Sequence, residues 1–411
     1  MNVRMAPKPP SPLHRLWRLF PAERRRRLFA AATAAIAPRP DRPPPAVAGG
    51  IAMIGEFSRA SGLGESARLV RHALAALGVP TWTIDIDCRE MPNVPPGVAL
   101  LIFVNPPMLP YVLLRLPRRL FRGRRIIGNW AWELPTMPDA WRSGLSFVHE
   151  VWAISRFTAD AIRTLLPAGS DMVVRNVSIP VAIAPPRPSG LTRADFGLPE
   201  DAVIVLTSFN LASSRVRKNP DGAIVAFKRA FGSRPDRILV LKIGNPTHFP
   251  TDFAELQTAA DAPNIRILTE TLPVADAHAL TACADIVLSL HRSEGFGLVP
   301  AEAMLLGVPV IATAWSGNLD FMDQSSAALV PYTLIPACDP RGVFEAPGAV
   351  WAEPDIAAAA AHLTRLADNP EARAALGKRG RDQAQARLGL GPIRAAVAAL
   401  GLPRAAEPVA A

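Results

Sequence analysis

From residue 50 onward the chain alternates between short unbroken apolar runs and longer stretches in which apolar residues recur every three or four positions. The short runs fit strands buried on both faces, and the longer period fits helices that cover them. The pattern predicts strands at 51–54, 80–85, 98–104, 124–129, 150–154 and 172–176, with helices at 64–77, 137–145 and 156–166. From Ala202 a second series predicts strands at 203–208, 237–243, 265–268, 285–290, 308–312 and 327–330. Its helices are expected at 219–231, 273–283, 299–307, 355–367, 370–386 and 391–400. Short apolar runs interleaved with helical stretches imply parallel sheets, so the fold class is α/β. Residues 180–199 are proline-rich and aperiodic, which suits a linker between two units. The expected division is a leader at 1–47, a first unit at 48–185, a second at 186–390, and a C-terminal helix and tail at 391–411.

A chain of 411 residues, 49% apolar and 19% charged, is long enough for two buried cores. The leader is rich in arginine, proline and alanine, a composition that resists packing, and it is expected to be disordered. It carries Arg15, Arg18, Arg24, Arg25, Arg26 and Arg27, and the whole chain has a formal charge of +10. Such a surplus favours anionic partners. No nucleic-acid motif is present and aromatics do not interleave with the basic run, so the expectation is either an anionic membrane surface or an arginine-rich leader with no partner, and not nucleic acid. No segment reads as a membrane span: 98–116 is interrupted by Asn105, Pro106, Pro107 and Pro110, and 28–37 is short and ends at Pro38. Cys88, Cys283 and Cys338 are odd in number and far apart, which points to a reducing compartment and buried, inert thiols.

Chemistry is densest in HRSEGFGLVPAEAMLLGVPV, residues 291–310. Glu294 and Glu302 flank a Gly295–Phe296–Gly297 turn, and Pro300 is suited to open a helix with Glu302 in its first turn. The amides of Phe296, Gly297 and Leu298 would then point out of a helix N-terminus, a site for an anion such as a nucleotide diphosphate. Glu302 can accept from the paired hydroxyls of a ribose, and Glu294 can lie where a sugar ring would sit.

The stretch EGFGLVPAEAMLLGVPVIAT resembles the E-x7-E signature of the family-4 (group 1) glycosyltransferases, and the likeness continues through Ala314, Trp315, Ser316, Gly317 and Asn318. That resemblance implies the GT-B plan, two Rossmann-like domains facing across a cleft. It implies transfer of a sugar, with retention, from a nucleotide-diphosphate sugar to a hydroxyl. The acceptor would be a saccharide or a lipid-linked one, in exopolysaccharide, lipopolysaccharide or glycolipid synthesis. No cofactor beyond the nucleotide-sugar co-substrate is expected, and no metal. The expected location is cytoplasmic, peripheral at the inner membrane face. A GT-B nucleotide-sugar epimerase and a non-catalytic polysaccharide-assembly protein are the rival readings.

Further candidates follow from the same resemblance and from residue chemistry. Gly62 and Gly64, after the first strand, permit close backbone approach at a helix start. Lys218 is similar to the family lysine that grips the donor diphosphate; the usual place of its arginine partner is held by Ser213, so Arg215 or Arg217 would substitute. Lys242 ends an apolar strand and is a second phosphate contact or a side chain that snorkels to solvent. Glu133, following Trp130 and Trp132, is preferred over His72 and His149 to accept the acceptor's proton, with the tryptophans either stacking on sugar or simply packed. His291 is expected near the donor without acid–base work. Asp85 and Asp87 have the D-x-D spacing of a metal site, a weak pattern set against the metal-free C-terminal signature.

Overall fold

The structure is a computed structural model and describes residues 22–402 except 60, 88–90, 345 and 347. Arg15, Arg18, Cys88 and the tail beyond 402 lie outside the described residues.

The first sheet is built from β1 (Ile51–Gly55), β2 (Thr81–Asp85), β3 (Ala99–Ile102), β4 (Ile126–Trp130), β5 (Glu150–Ala153) and β6 (Val173–Asn176). Its order is β2-β1-β3-β4-β5-β6 and every pairing is parallel. All five residues of β1 and of β4 are buried, as unbroken apolar runs require when helices cover both faces. The second sheet contains β7 (Val203–Asn210), β8 (Arg237–Gly244), β9 (Ile265–Leu268), β10 (Ile286–Ser289), β11 (Val310–Thr313) and β12 (Ala328–Val330). It runs β12-β11-β10-β7-β8-β9, again all parallel. Each sheet changes direction of growth once, beside β1 in the first and between β7 and β10 in the second. Ligands in such sheets bind outside the carboxyl ends of the strands at those points.

The main helices are α1 (Ala22–Ile36), α2 (Gly62–Ala76), α3 (Leu109–Arg115), α4 (Arg156–Arg163), α5 (Arg215–Lys218), α6 (Pro220–Phe231), α7 (Pro250–Ala259), α8 (Val274–Ala282), α9 (Leu298–Leu305), α10 (Ile356–Asp368), α11 (Pro370–Arg387) and α12 (Gly391–Ala399). Two connections tie the halves together. Ile393, Ala396, Val397 and Leu400, on and just beyond α12, return the chain end to the first domain and pack with Ile51, Met53 and Leu74. A hairpin of β13 (Tyr332–Pro336) and β14 (Val350–Pro354) carries Phe344, Ala349 and Trp351 into the other core of the first domain, beside Trp130 and Trp132.

Two expectations need correction, the disordered leader and the helix at 137–145, and α3 and the β13–β14 hairpin were not anticipated. The leader was expected to be disordered to residue 47, but its described part holds α1, packed on α3, with Thr33 and Ala37 buried. Beyond it, His149 fixes the segment through Nε2 to the Asp41 carbonyl at 2.7 Å. An alanine-rich stretch following arginines is a good helix once a neighbour accepts its small-residue face. The stretch 98–116 forms a strand and then α3, because Pro110 occupies a helix start where its missing N–H costs nothing. Residues 137–145 form 3-10 turns over Asp139–Phe147 rather than an α-helix.

Candidate active site

The loops after β7 and β10 meet at the second sheet's switch point and are laced by backbone contacts. The Arg292 amide donates to the Arg217 carbonyl at 2.8 Å, and Asn219 Nδ2 donates to the Leu290 carbonyl at 2.9 Å. Ser214, with φ of 69°, caps α5 by accepting from the Arg217 amide at 3.3 Å. Its hydroxyl donates in turn to buried Asp339 at 2.9 Å. Asp339 also accepts from the amides of Val343 and Phe344, so the hairpin loop and the basic turn are held as one unit.

This scaffold brings Arg217, Lys218 and Glu294 together. Arg217 donates to the carbonyls of Ser293 at 2.8 Å and Ser213 at 3.1 Å, and its guanidinium lies 4.6 Å over the Phe344 ring. Its Nη1 stands 3.4 Å from Glu294 Oε2, while Lys218 Nζ pairs with Oε1 of the same carboxylate. Burial alone would raise the Glu294 pKa; Lys218 and Arg217 outweigh it and take the group down to about 2. Glu133 completes the cluster from the first domain. Ser293 Oγ donates to its carbonyl, and burial raises its carboxyl above the usual range, with Arg217 opposing and Glu294 adding. Two neighbouring carboxyls are thus pushed in opposite directions.

The remaining expected residues divide. Arg215 does not join the cluster: it turns back to Asp221 at 2.6 Å and to Glu255. The arginine near Lys218 is therefore Arg217. Trp130 and Trp132 are buried; Trp132 packs on Trp141 at 4.7 Å and on Phe344 at 5.9 Å, so both serve the core. Lys242 is half-buried at the end of β8, its pKa lowered by burial, with Glu270 acting against that. Helix α9 starts at Leu298, so Pro300 is its third residue and Glu302 lies in the second turn. Pro300 still removes one of the four N–H groups that a helix start leaves unpaired. Gly297 is the N-cap, with no side-chain cap bond. Phe296 is buried against Phe321. At Gly295 a Cβ would come 2.9 Å from the Trp132 carbonyl, so the two domains meet on its bare backbone. Its carbonyl accepts from Ser155 Oγ at 2.5 Å.

Glu302 faces His278 of α8, Oε1 to Nε2 at 3.9 Å. The Glu302 contact raises the His278 pKa, burial opposes it, and Glu65 of the first domain adds a smaller upward pull. Glu302 therefore looks toward the helix that follows the glycine loop. Ser61 caps that helix, accepting from the Gly64 amide at 3.0 Å. A Cβ on Gly64 would lie 2.5 Å from the Glu56 carbonyl, whereas one on Gly62 meets nothing within 4 Å. Gly64 shapes the loop and Gly62 leaves space beside it. Asp85 steadies the same loop by accepting from the amides of Ser58 at 2.8 Å and Asp87 at 2.9 Å. Asp87 pairs with Arg59 at 2.7 Å, so the D-x-D carboxylates serve loop geometry.

Sequence reasoning missed His278, Asp339, Phe344 and Ser155, all brought in by tertiary packing from positions without a local motif. The histidines behave as connectors. His291 is fully buried, with Nε2 3.1 Å from Asn318 Oδ1 and Nδ1 3.0 Å from Ser289 Oγ; burial lowers its pKa. His149 Nδ1 accepts from the Ile126 amide at 2.7 Å, and His72 is exposed. A cavity of about 140 Å³ beside His149, lined by Arg42, Arg125 and Arg175, opens at the amino ends of β4–β6, the end opposite Glu133. No group of three or more metal-ligating side chains occurs among the described residues.

Residues 191–383 match the family described as Glycosyl transferases group 1. The chain is similar to a D-inositol 3-phosphate glycosyltransferase of Saccharomonospora viridis, 30% identical over 236 residues, covering 55% of this chain and 49% of that one. It is similar to another so named from Mycobacteroides abscessus, 33% identical over 170 residues, covering 40% and 36%. The chain thus spans half or less of these relatives. Among solved structures, HepE of Anabaena, in complex with UDP and glucose, superposes with a TM-score of 0.61 at 12% identity, covering 86% of this chain and 99% of that one. Sucrose-phosphate synthase of Thermosynechococcus elongatus gives 0.60 at 18%, covering 86% and 98%.

Proposed function

Since residues 191–383 form a domain of the group 1 glycosyltransferase family, within a GT-B fold, we propose that the protein moves a sugar, with retention, from a nucleotide-diphosphate sugar to a hydroxyl acceptor. The observation that carries this reading is the Glu294–Lys218–Arg217 cluster, seated at the switch point of the second sheet, with Glu133 of the first domain within reach of its charges and tied to the same loop through Ser293.

The donor's diphosphate would lie against Lys218 and Arg217 at the start of α9, with its ribose on Glu302. Glu294, kept ionised and released from Lys218 by the arriving phosphates, would accept from a sugar hydroxyl. As the bond between the anomeric carbon and the diphosphate oxygen breaks, negative charge grows on the phosphate, and Lys218 stabilises it. The acceptor oxygen bonds to the same face of that carbon, and its proton passes to the departing diphosphate oxygen or to Glu133. The rest is positioning and exclusion of water between the domains. The acceptor would be a saccharide or lipid-linked one, in cell-surface polysaccharide or glycolipid synthesis, handled in the cytoplasm at a membrane face. Among the described residues no helix is long and apolar enough to cross a membrane.

The test is a panel of UDP-, GDP- and dTDP-sugars. At least one should raise the melting temperature by mass action and then yield a glycoside with an added acceptor alcohol, its anomeric configuration kept. Stabilisation by none of them, or an epimerised sugar nucleotide from donor alone, would overturn the reading.

A further inference from the structure

We propose that one face of the first domain, formed by α1 together with residues 108–122, docks on an anionic phospholipid bilayer. The two segments are far apart in sequence and are joined through Tyr111. The Phe29 ring meets Tyr111 at 5.3 Å, and the Arg115 guanidinium lies 5.8 Å from the same Tyr111 ring.

At about 100° per residue, Arg24, Arg25, Leu28, Phe29, Ala32, Ala35 and Ile36 share one continuous arc of α1. Thr33 and Ala37 lie across the helix from that arc and are buried. The arc is both basic and apolar, with Leu28 51% and Ile36 64% exposed. Leu28, Phe29 and Ile36 are thus held outward beside arginines, the combination of apolar and basic side chains that the boundary of a bilayer takes. The second segment repeats the combination. Met108 is 47% exposed, and Arg115, Arg118, Arg119 and Arg122 are exposed, with no acidic residue anywhere in 108–125. These four arginines form no ion pair among the described residues, unlike Arg59, Arg142 and Arg163, which are paired on the same domain. A groove of about 300 Å³ opens beside them, with Arg119 and Asn93 at its edge and a largely apolar lining that includes Met91 and Leu120; Arg124 at its base is committed to the Val94 and Val98 carbonyls. Charge complementarity therefore selects the occupant: an acidic lipid surface, attracted by roughly 1 kcal/mol per nearby arginine.

Met108 lies just beyond the carboxyl end of β3, on the side where the glycine loop also emerges. The Met108 edge of the face is therefore on the cleft side, while Arg118–Arg122 lead into the amino end of β4; a lipid-linked acceptor would enter along the Met108 edge. That last step rests on the transfer reading; the docking does not.

The experiment is flotation of the full chain with vesicles of phosphatidylcholine alone or of phosphatidylcholine mixed with phosphatidylglycerol. Binding should require the acidic lipid and fall steeply with salt. Arg118→Glu/Arg119→Glu/Arg122→Glu should lower partition at least about a hundredfold, from the loss of three cationic contacts. Leu28→Glu/Ile36→Glu should also release the protein, with unchanged melting temperature, since both side chains are exposed. Equal binding to neutral vesicles, full retention by either variant, or preference for added RNA or for a second copy of the chain would overturn the proposal. Donor-sugar binding measured on the same variants should be unchanged; its absence in all of them would count against the transfer reading and leave the docking result standing.

Discussion

Glu294 and Glu133 are two carboxyls in one cluster with opposite titration. The Glu294 pKa falls from an ordinary 4.5 to about 2, so the folded state prefers it ionised. That preference contributes on the order of 3 kcal/mol above pH 4.5, and the contribution disappears as pH falls toward 2. In Glu294→Gln the acid-linked fall in unfolding free energy between those values should shrink by about that amount, with Asp85 and Asp323 leaving a remainder, and transfer should drop by at least about a hundredfold; an unchanged acid limb in urea titrations would contradict the pairing. Glu133 is raised by burial, so activity should climb with pH through its titration if it takes the acceptor's proton. Glu133→Gln should remove that limb and lower kcat by about a hundredfold or more; a pH–rate profile of unaltered shape would assign the proton to the diphosphate instead. The acidic pair was legible in the sequence because a turn, a proline and two carboxylates fall within one short segment. The identity of the arginine was not. Arg215 and Arg217 are two residues apart on one helical turn, and only the positions of Asp221 and Glu255 decide which turns away.

At the scale of elements, the strands were read within a few residues because buried parallel strands are unbroken apolar runs. The misses are elements whose burial comes from elsewhere. Helix α1 depends on α3 for its apolar contact, and the β13–β14 loop depends on Asp339, a lone polar residue that looks like solvent-facing loop in the sequence. The glycine loop offers a paired test. Gly64→Ala places a Cβ against two carbonyls, at 2.5 and 2.7 Å, and should destabilise the fold by about 1–3 kcal/mol. Gly62→Ala has open space and should leave the melting temperature unchanged while raising KM several-fold if substrate fills that space. Thermal melts beside substrate titrations separate the two, and equal effects would show that the loop is only a connection.

For the whole molecule, side-chain hydrogen bonds between the domains gather near the cluster, apart from the apolar packing of α12. Ser155 and Thr158 donate to the Gly295 carbonyl, Ser293 to the Glu133 carbonyl, and Asp320 accepts from the Arg156 amide at 2.8 Å and from Asn176 at 3.2 Å. None of these pairings was legible in the sequence, since each joins residues more than a hundred positions apart. If they hold the lobes closed over the donor, Asp320→Ala should raise hydrolysis of the sugar nucleotide relative to transfer several-fold, read as free sugar against glycoside. An unchanged ratio would place water exclusion elsewhere.

The central claim is that Lys218, freed from Glu294, holds the donor's diphosphate. Calorimetric titration of the wild type and Lys218→Ala with the nucleotide-diphosphate sugar that stabilises the protein tests it most directly. Loss of one charge-assisted contact predicts roughly ten- to a hundredfold weaker binding of the sugar nucleotide, with the affinity for the bare nucleoside little changed. Equal dissociation constants for the sugar nucleotide in the two proteins would contradict the account.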